Sequence, residues 1–186
     1  MNILFVCTGN YYRSKFCENL WTYLLEKFDK KGKVSSSGLK PELALLWKEA
    51  FGNISPFTVR ALSRIGVPVY NDSSLNLLTQ EEVDSNDKVV FINRDEHMEL
   101  LSQTELTISV DKIIAWENGD VDQEFPIESI FLMMINVCFL FQKTYKVNTR
   151  DVLRTFRESF YKNSEAFNWR VKDLLDRDWE TYVNHH

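Results

Sequence analysis

Near the start of the chain, Cys7-Thr8-Gly9-Asn10-Tyr11-Tyr12-Arg13-Ser14 sets a thiol and a guanidinium at the spacing Cys-x5-Arg-Ser. If this segment turns from a strand into a helix, successive backbone N–H groups face inward and the positive helix end adds its field. The result is a cradle for a dianion. Arg13 closes it, because a planar guanidinium grips two phosphate oxygens at once. The same field is expected to lower the pKa of Cys7, making it a thiolate that needs no neighbouring base. Ser14 is placed to donate its hydroxyl to the sulfur and improve it as a leaving group. Gly9 and Asn10 are residue types that tolerate the positive φ of a tightly curled loop. A lone cysteine at a strand end is an inert core residue, but this combination marks an anion-binding nucleophile.

The flanking elements have to supply that turn. Asn2 to Cys7 is an apolar run of strand formers, and Arg13 to Phe28 carries Phe16, Leu20, Tyr23, Leu24 and Phe28 at helical spacing. Lys30-Lys31-Gly32 is the expected helix stop, and Val34 to Ser37 the expected second strand, a β-turn-α-β opening. Ser55-Pro56 reads as an N-cap and first-turn proline for a helix ending at Gly66; Thr79 and Glu82 form a capping box. Asp87 to Ile92 and Lys112 to Trp116 read as strands, with a helix from Arg94 to Leu101 between them. His97 falls on that helix, expected at the surface without a role. From Ile127 onward the pattern is helical: Ile127 to Tyr145, then stripes at Val152, Leu153, Phe156 and Phe160, and from Phe167 to Tyr182. We expect a three-layer α/β domain over 1-186, with 127-186 an all-helical C-terminal part.

The opening segment resembles the phosphate-binding loop of the low-molecular-weight protein tyrosine phosphatases, a family that includes related arsenate reductases. Ser35-Ser36-Ser37-Gly38 is similar to that family's Ser-Ala-Gly turn after strand two, and Leu78-Thr79-x-Glu81 to its Leu-Thr-x-Glu helix start. The likeness covers about residues 1 to 130. It implies a phosphatase-I-like α/β/α fold with a four-stranded parallel sheet, metal-free and cofactor-free hydrolysis of phosphate monoesters, and a cysteinyl-phosphate intermediate. Residues 8–14 (Thr8, Gly9, Asn10, Tyr11, Tyr12, Arg13, Ser14) would bind the phosphate, with Ser36 supporting the loop.

A general acid is also implied, an aspartate in an Asp-Pro-aromatic segment after the fourth strand. This chain has no Asp-Pro; the matching loop runs from Trp116 to Pro126, where Asp120 fits best and Asp122 is the runner-up. Tyr12 stands where many relatives have a second cysteine, and Ser73 where they often have a histidine. Tyr11 and Trp47 are candidates to line the mouth of the site; Cys17 reads as core.

Composition narrows the classes further. With 22 Lys+Arg against 27 Asp+Glu, the net charge of -5 disfavours sequence-independent nucleic-acid binding. Three cysteines without framework spacing argue against a disulfide-stapled secreted domain, and no Cys/His group has metal-ligand spacing. The most apolar run, Ile130 to Phe141, is too short for a membrane span. We expect a cytoplasmic protein acting on phosphorylated protein or a small aryl phosphate, without nucleic-acid or membrane partners. Two alternatives stay open: thiol-dependent arsenate reduction, and phosphate or phosphoprotein binding without turnover.

Overall fold

A computed structural model describes residues 1–70, 74–119 and 126–162. Four parallel strands, β1 (Asn2–Cys7), β2 (Lys33–Gly38), β3 (Lys88–Phe91) and β4 (Ile113–Ala115), form one sheet in the order β2-β1-β3-β4. β1 is central, and its side chains alternate between two apolar layers. Ile3, Phe5 and Cys7 face a larger core made with α1 (Arg13–Lys27), α3 (Pro56–Arg64), α6 (Pro126–Tyr145) and α7 (Arg150–Lys162). Leu4 and Val6 face a smaller one with Val83 of α4 (Gln80–Ser85), against which Met98 and Leu101 of α5 (Arg94–Leu101) pack. A strand covered on both faces has to be apolar at every position, which is why β1 reads as a continuous run. The architecture is three-layer α/β/α with a four-stranded parallel sheet.

Local signals act where expected. Ser55 Oγ accepts from Phe57 N at 3.2 Å and caps α3, with Pro56 in its first turn. Thr79 and Glu82 close the capping box of α4, and Glu82 also accepts from Ser37 Oγ at 2.8 Å, tying that helix to β2.

Three expectations need correction. The helix from Arg13 ends at Lys27, and the left-handed residue that turns the chain is Asp29 (φ 48°) rather than Gly32. Lys30 N then bonds back to Leu25 O at 2.8 Å, closing the helix end. The expected strand from Val34 to Ser37 is there as β2, so the Ser35 to Gly38 segment likened to a turn after strand two lies within the strand itself. A 3₁₀ turn (Pro41–Ala44) and a short helix α2 (Leu45–Phe51) also follow β2 where no element was expected.

The helical C-terminal part is joined to the core. Trp21 of α1 lies 5.9 Å from the Phe5 ring of β1 and 4.9 Å from Phe141 of α6, centroid to centroid. Tyr23 meets Phe156 of α7 at 5.8 Å. The apolar stripe expected from Phe167 to Tyr182 lies outside the described residues. No described helix is long and apolar enough to cross a membrane.

Candidate active site

β1 ends at Cys7 and α1 begins at Arg13, so the five residues between them make the turn over the C-terminal edge of the sheet. Parallel α/β folds place ligands at this edge. The carbonyls of Cys7 and Thr8 accept from Leu39 N (3.0 Å) and Lys40 N (2.8 Å), those of Tyr11 and Tyr12 from Ser55 N (3.0 Å) and Thr58 Oγ1 (3.0 Å). In a trans peptide the N–H points opposite its carbonyl. Pulling four carbonyls outward therefore turns the amides of Thr8, Gly9, Tyr12 and Arg13 toward the inside of the loop. Asn10 sits at the apex with φ 51°, wholly buried, a conformation asparagine accepts more readily than most residues.

A buried hydrogen-bond chain runs from that asparagine to the thiol. Asn10 Nδ2 donates to Ser14 Oγ (3.1 Å) and Ser36 Oγ (2.8 Å), while its Oδ1 accepts from Asn76 N (2.9 Å). Ser36 donates to Glu18 Oε2 at 2.6 Å, and Lys15 Nζ lies 3.8 Å from that same oxygen. A carboxylate only accepts, so Glu18 fixes the direction of the whole chain. Ser36 gives its proton to Glu18, both amide protons of Asn10 are used, and Ser14 receives one of them. The hydroxyl proton of Ser14 is then left for Cys7 Sγ, 3.1 Å away. Ser36 is thus brought to the loop, and Glu18 and Lys15 join it without having been expected.

Arg13 is buried at the other side of the loop. Its Nη1 donates to Glu96 Oε2 at 2.8 Å and its Nη2 to Glu96 Oε1 at 3.1 Å and Thr8 Oγ1 at 3.2 Å. Thr8 Oγ1 also hydrogen-bonds Glu96. Burial works against ionisation of Glu96, but the Arg13 guanidinium outweighs it and holds the carboxyl below its usual range. His97 corrects the surface reading: it is fully buried. Burial first, then the nearby Arg13 charge, push its pKa down from 6.5 to about 3 against the pull of Glu96. It is a neutral imidazole whose Nδ1 accepts from Asn93 N at 3.3 Å.

Above the loop opens a cleft of about 640 Å³ that runs from Cys7 and Arg13 to an apolar wall of Tyr11, Leu43, Trp47, Phe51 and Phe57. Tyr11 OH donates to the carbonyl of Trp47 at 3.1 Å, so both residues named as mouth candidates are there. Cys17 and Cys138 are buried and unpaired, and burial raises both thiols above their ordinary pKa. Asp120, Asp122 and Ser73 lie outside the described residues. The stem of the acidic loop is anchored at the same sheet edge, with Asn118 N on Ile92 O at 3.0 Å and Ser129 Oγ on Gly119 O at 2.9 Å.

The family model for low molecular weight phosphotyrosine protein phosphatase matches residues 2–129 of this chain. The chain belongs to that family. Membership makes it a hydrolase of the protein tyrosine phosphatase class. The fold is similar to YfkJ from Bacillus subtilis (17% identity, TM-score 0.61), covering 78% of this chain and 94% of that one. It is also similar to Wzb of Vibrio vulnificus, solved with benzylphosphonate (21% identity, TM-score 0.58, 77% and 97% covered). A third likeness is to a thioredoxin-dependent arsenate reductase of Corynebacterium glutamicum (20% identity, TM-score 0.56, 76% of this chain). The match spans only 60% of that reductase. No curated protein matches the sequence.

Glu96 was not singled out from sequence and His97 was read as a surface residue, because placing them requires the strand order. β3 pairs directly with β1, which sets the first turn of α5 beside the loop after β1. Glu18 did carry a signal: it lies four residues after Ser14, one turn along the same helix face.

Proposed function

We propose that the chain hydrolyses aryl phosphate monoesters, phosphotyrosine in protein above all, through a phosphorylated Cys7. The observation that carries this reading is Ser14 Oγ 3.1 Å from Cys7 Sγ, inside a loop four of whose carbonyls are drawn away from the cleft. Cys7 Sγ attacks phosphorus as a thiolate, and the P–O bond to the phenol breaks as the S–P bond forms. Arg13 and the amides of residues 8–14 neutralise the charge on the three phosphoryl oxygens. The phenolate takes a proton from Asp120, with Asp122 the runner-up for this role. The same carboxylate then takes a proton from water as the water attacks phosphorus. The S–P bond breaks, and the hydroxyl of Ser14 stabilises the departing thiolate. In this reading the charge is carried by protein groups, with no metal or cofactor.

The rest of the setting agrees. Three unpaired cysteines fit a reducing cytoplasm. The aromatic wall of Trp47 and Tyr11 suits a phenyl ring, and a net charge of -5 suits a protein or small-molecule substrate better than nucleic acid. We take 1-186 as one phosphatase domain. Arsenate reduction has less support, because the resolving thiols it needs would be Cys17 and Cys138, both buried.

The test is hydrolysis of p-nitrophenyl phosphate, with trapping of the phosphoenzyme. Cys7→Ser should abolish turnover, and equal rates in the two proteins would sink the proposal. Asp120→Ala should slow turnover by about 10²–10⁴-fold. A loss of that size in Asp122→Ala instead transfers the acid role to Asp122.

A further inference from the structure

The Arg13 guanidinium, which the proposed function gives to phosphate, is already held by a carboxylate that no step of the mechanism uses. We propose that Glu96 is a positioning residue: its carboxylate takes both terminal nitrogens of Arg13 and the hydroxyl of Thr8, and keeps them in place throughout the reaction. This rests on the reading of the loop as a phosphate cradle.

A carboxylate beside an anion site can act in two opposite ways. It can be a competitor that occupies the loop until phosphate displaces it, or a strut that stays. Three tethers favour the strut. The grip on Arg13 is two-point, at 2.8 and 3.1 Å, so the guanidinium plane is fixed as well as its position. The Glu96 backbone is itself fixed, since its N–H bonds the Asn93 cap at 3.1 Å in the first turn of α5. Neutral His97 packs behind the carboxylate without tethering it: its Nδ1 accepts from Asn93 N, and its Nε2, 3.7 Å from Glu96 Oε2, is too far for a hydrogen bond. The carboxylate also bridges two different parts of the loop, Thr8 at its start and Arg13 at its end. A competitor needs none of these tethers. A strut needs all of them, because donors fixed before phosphate arrives require no reorganisation when charge develops.

The cost is a negative charge near the phosphate. It is offset by its location: Glu96 is partly exposed, at 26% of its side-chain surface, so water screens it, while Arg13 at 1% is screened far less.

The experiment compares wild type, Glu96→Gln, Glu96→Ala, Arg13→Ala and the double variant. It uses p-nitrophenyl phosphate turnover, inhibition by inorganic phosphate, and calorimetric phosphate binding. Glu96→Ala should lower kcat about 10- to 100-fold and weaken phosphate binding, with Glu96→Gln in between. The double variant should be no slower than Arg13→Ala alone, because Glu96 acts only through Arg13; an independent structural role makes the losses multiply. Tighter phosphate binding with kcat unchanged or raised in the Glu96 variants overturns the strut in favour of a competitor, and multiplying losses overturn it as well. Should Glu96→Ala not fold, Glu96→Gln carries the same comparison against Arg13→Ala. A wild type without turnover refutes the catalytic reading, whereas its phosphate affinity relative to Glu96→Gln still decides the strut.

Discussion

Gly38→Ala adds one methyl group at the end of β2, and the structure states where that methyl goes. Position 38 pairs with Cys7 across the sheet. A Cβ there would lie 2.7 Å from Thr8 O, 2.8 Å from Asn10 N and 3.0 Å from the carbonyl carbon of Gly9. All three are backbone atoms of the anion loop, and comfortable contacts to carbon begin at about 3.5 Å. Gly38 cannot retreat, because its N–H bonds Asn76 O and its carbonyl accepts from Leu78 N, both at 2.8 Å. The loop therefore moves, by roughly 0.5–1 Å. Overpacking of this kind costs about 1–3 kcal/mol, or about 2–4 °C in Tm per kcal/mol for a chain of this size.

The catalytic loss should be larger than the stability loss. A displacement near 1 Å of groups that must meet a transition state costs on the order of 100-fold. We expect Gly38→Ala to melt several degrees below wild type and to lose about two decades of kcat/KM on p-nitrophenyl phosphate. Gly66→Ala is the matched control. Gly66 has φ 70° and no atom within 4 Å of its would-be Cβ, so alanine strains the backbone by about 1–2 kcal/mol and leaves the loop untouched. A glycine that tolerates alanine usually gains up to about 1 kcal/mol from a stiffer unfolded chain. Gly38→Ala that melts higher than wild type with kcat/KM within twofold would refute the contact argument.

Two further perturbations probe the polar network. Ser36→Ala leaves Glu18 without its serine donor and one Asn10 amide proton unmatched. We expect about 1–3 kcal/mol of destabilisation and a fall in kcat, both read from melts and steady-state rates; unchanged kcat would separate the Glu18 chain from catalysis. His97 has a folded-state pKa of about 3 against 6.5 ordinarily, so the unfolded chain binds the extra proton first as pH falls. Its contribution to stability is complete above pH 6.5 and drains away toward pH 3, at up to about 1.4 kcal/mol per pH unit. Glu96, with its pKa lowered, adds a loss of the same sign at more acidic pH. Denaturant titrations should show a shallower acid slope in His97→Leu than in wild type, and equal slopes would contradict the buried neutral imidazole.

Which parts were legible in the sequence follows from what each signal measures. Periodicity reports burial, so β1, α1 and α6, each packed into a core, stand out from their apolar residues alone. The same logic fails at α2, none of whose residues is buried: Leu46, Trp47 and Phe51 are exposed, and an apolar helix outside the core has no periodic stripe. Caps at Ser55 and Thr79 were readable because a cap is a local bond. Glu96 and His97 were not, because a polar group's partner is set by strand order, and β3 pairs with β1 only once the chain has folded. Composition could not move His97 off the surface either; only its neighbours Arg13, Asn93 and Phe91 do that.

The C-terminal third bears on the loop through packing. The family match ends at residue 129, a few residues into α6, but the large core continues through Met134, Val137, Cys138 and Phe141 to Phe156 of α7. Trp21 is the hinge of that continuation. It touches Phe5, two residues before the Cys7 thiol, and Phe141 on α6; its helix α1 carries Arg13, Ser14 and Glu18. Phe141, beyond the family match, therefore packs on the tryptophan that joins the two elements meeting at the anion loop. A preorganised loop requires both of its ends to be rigid, and α6 packs against α1, the element at one of those ends. The helix needs no catalytic group of its own to matter for the rate.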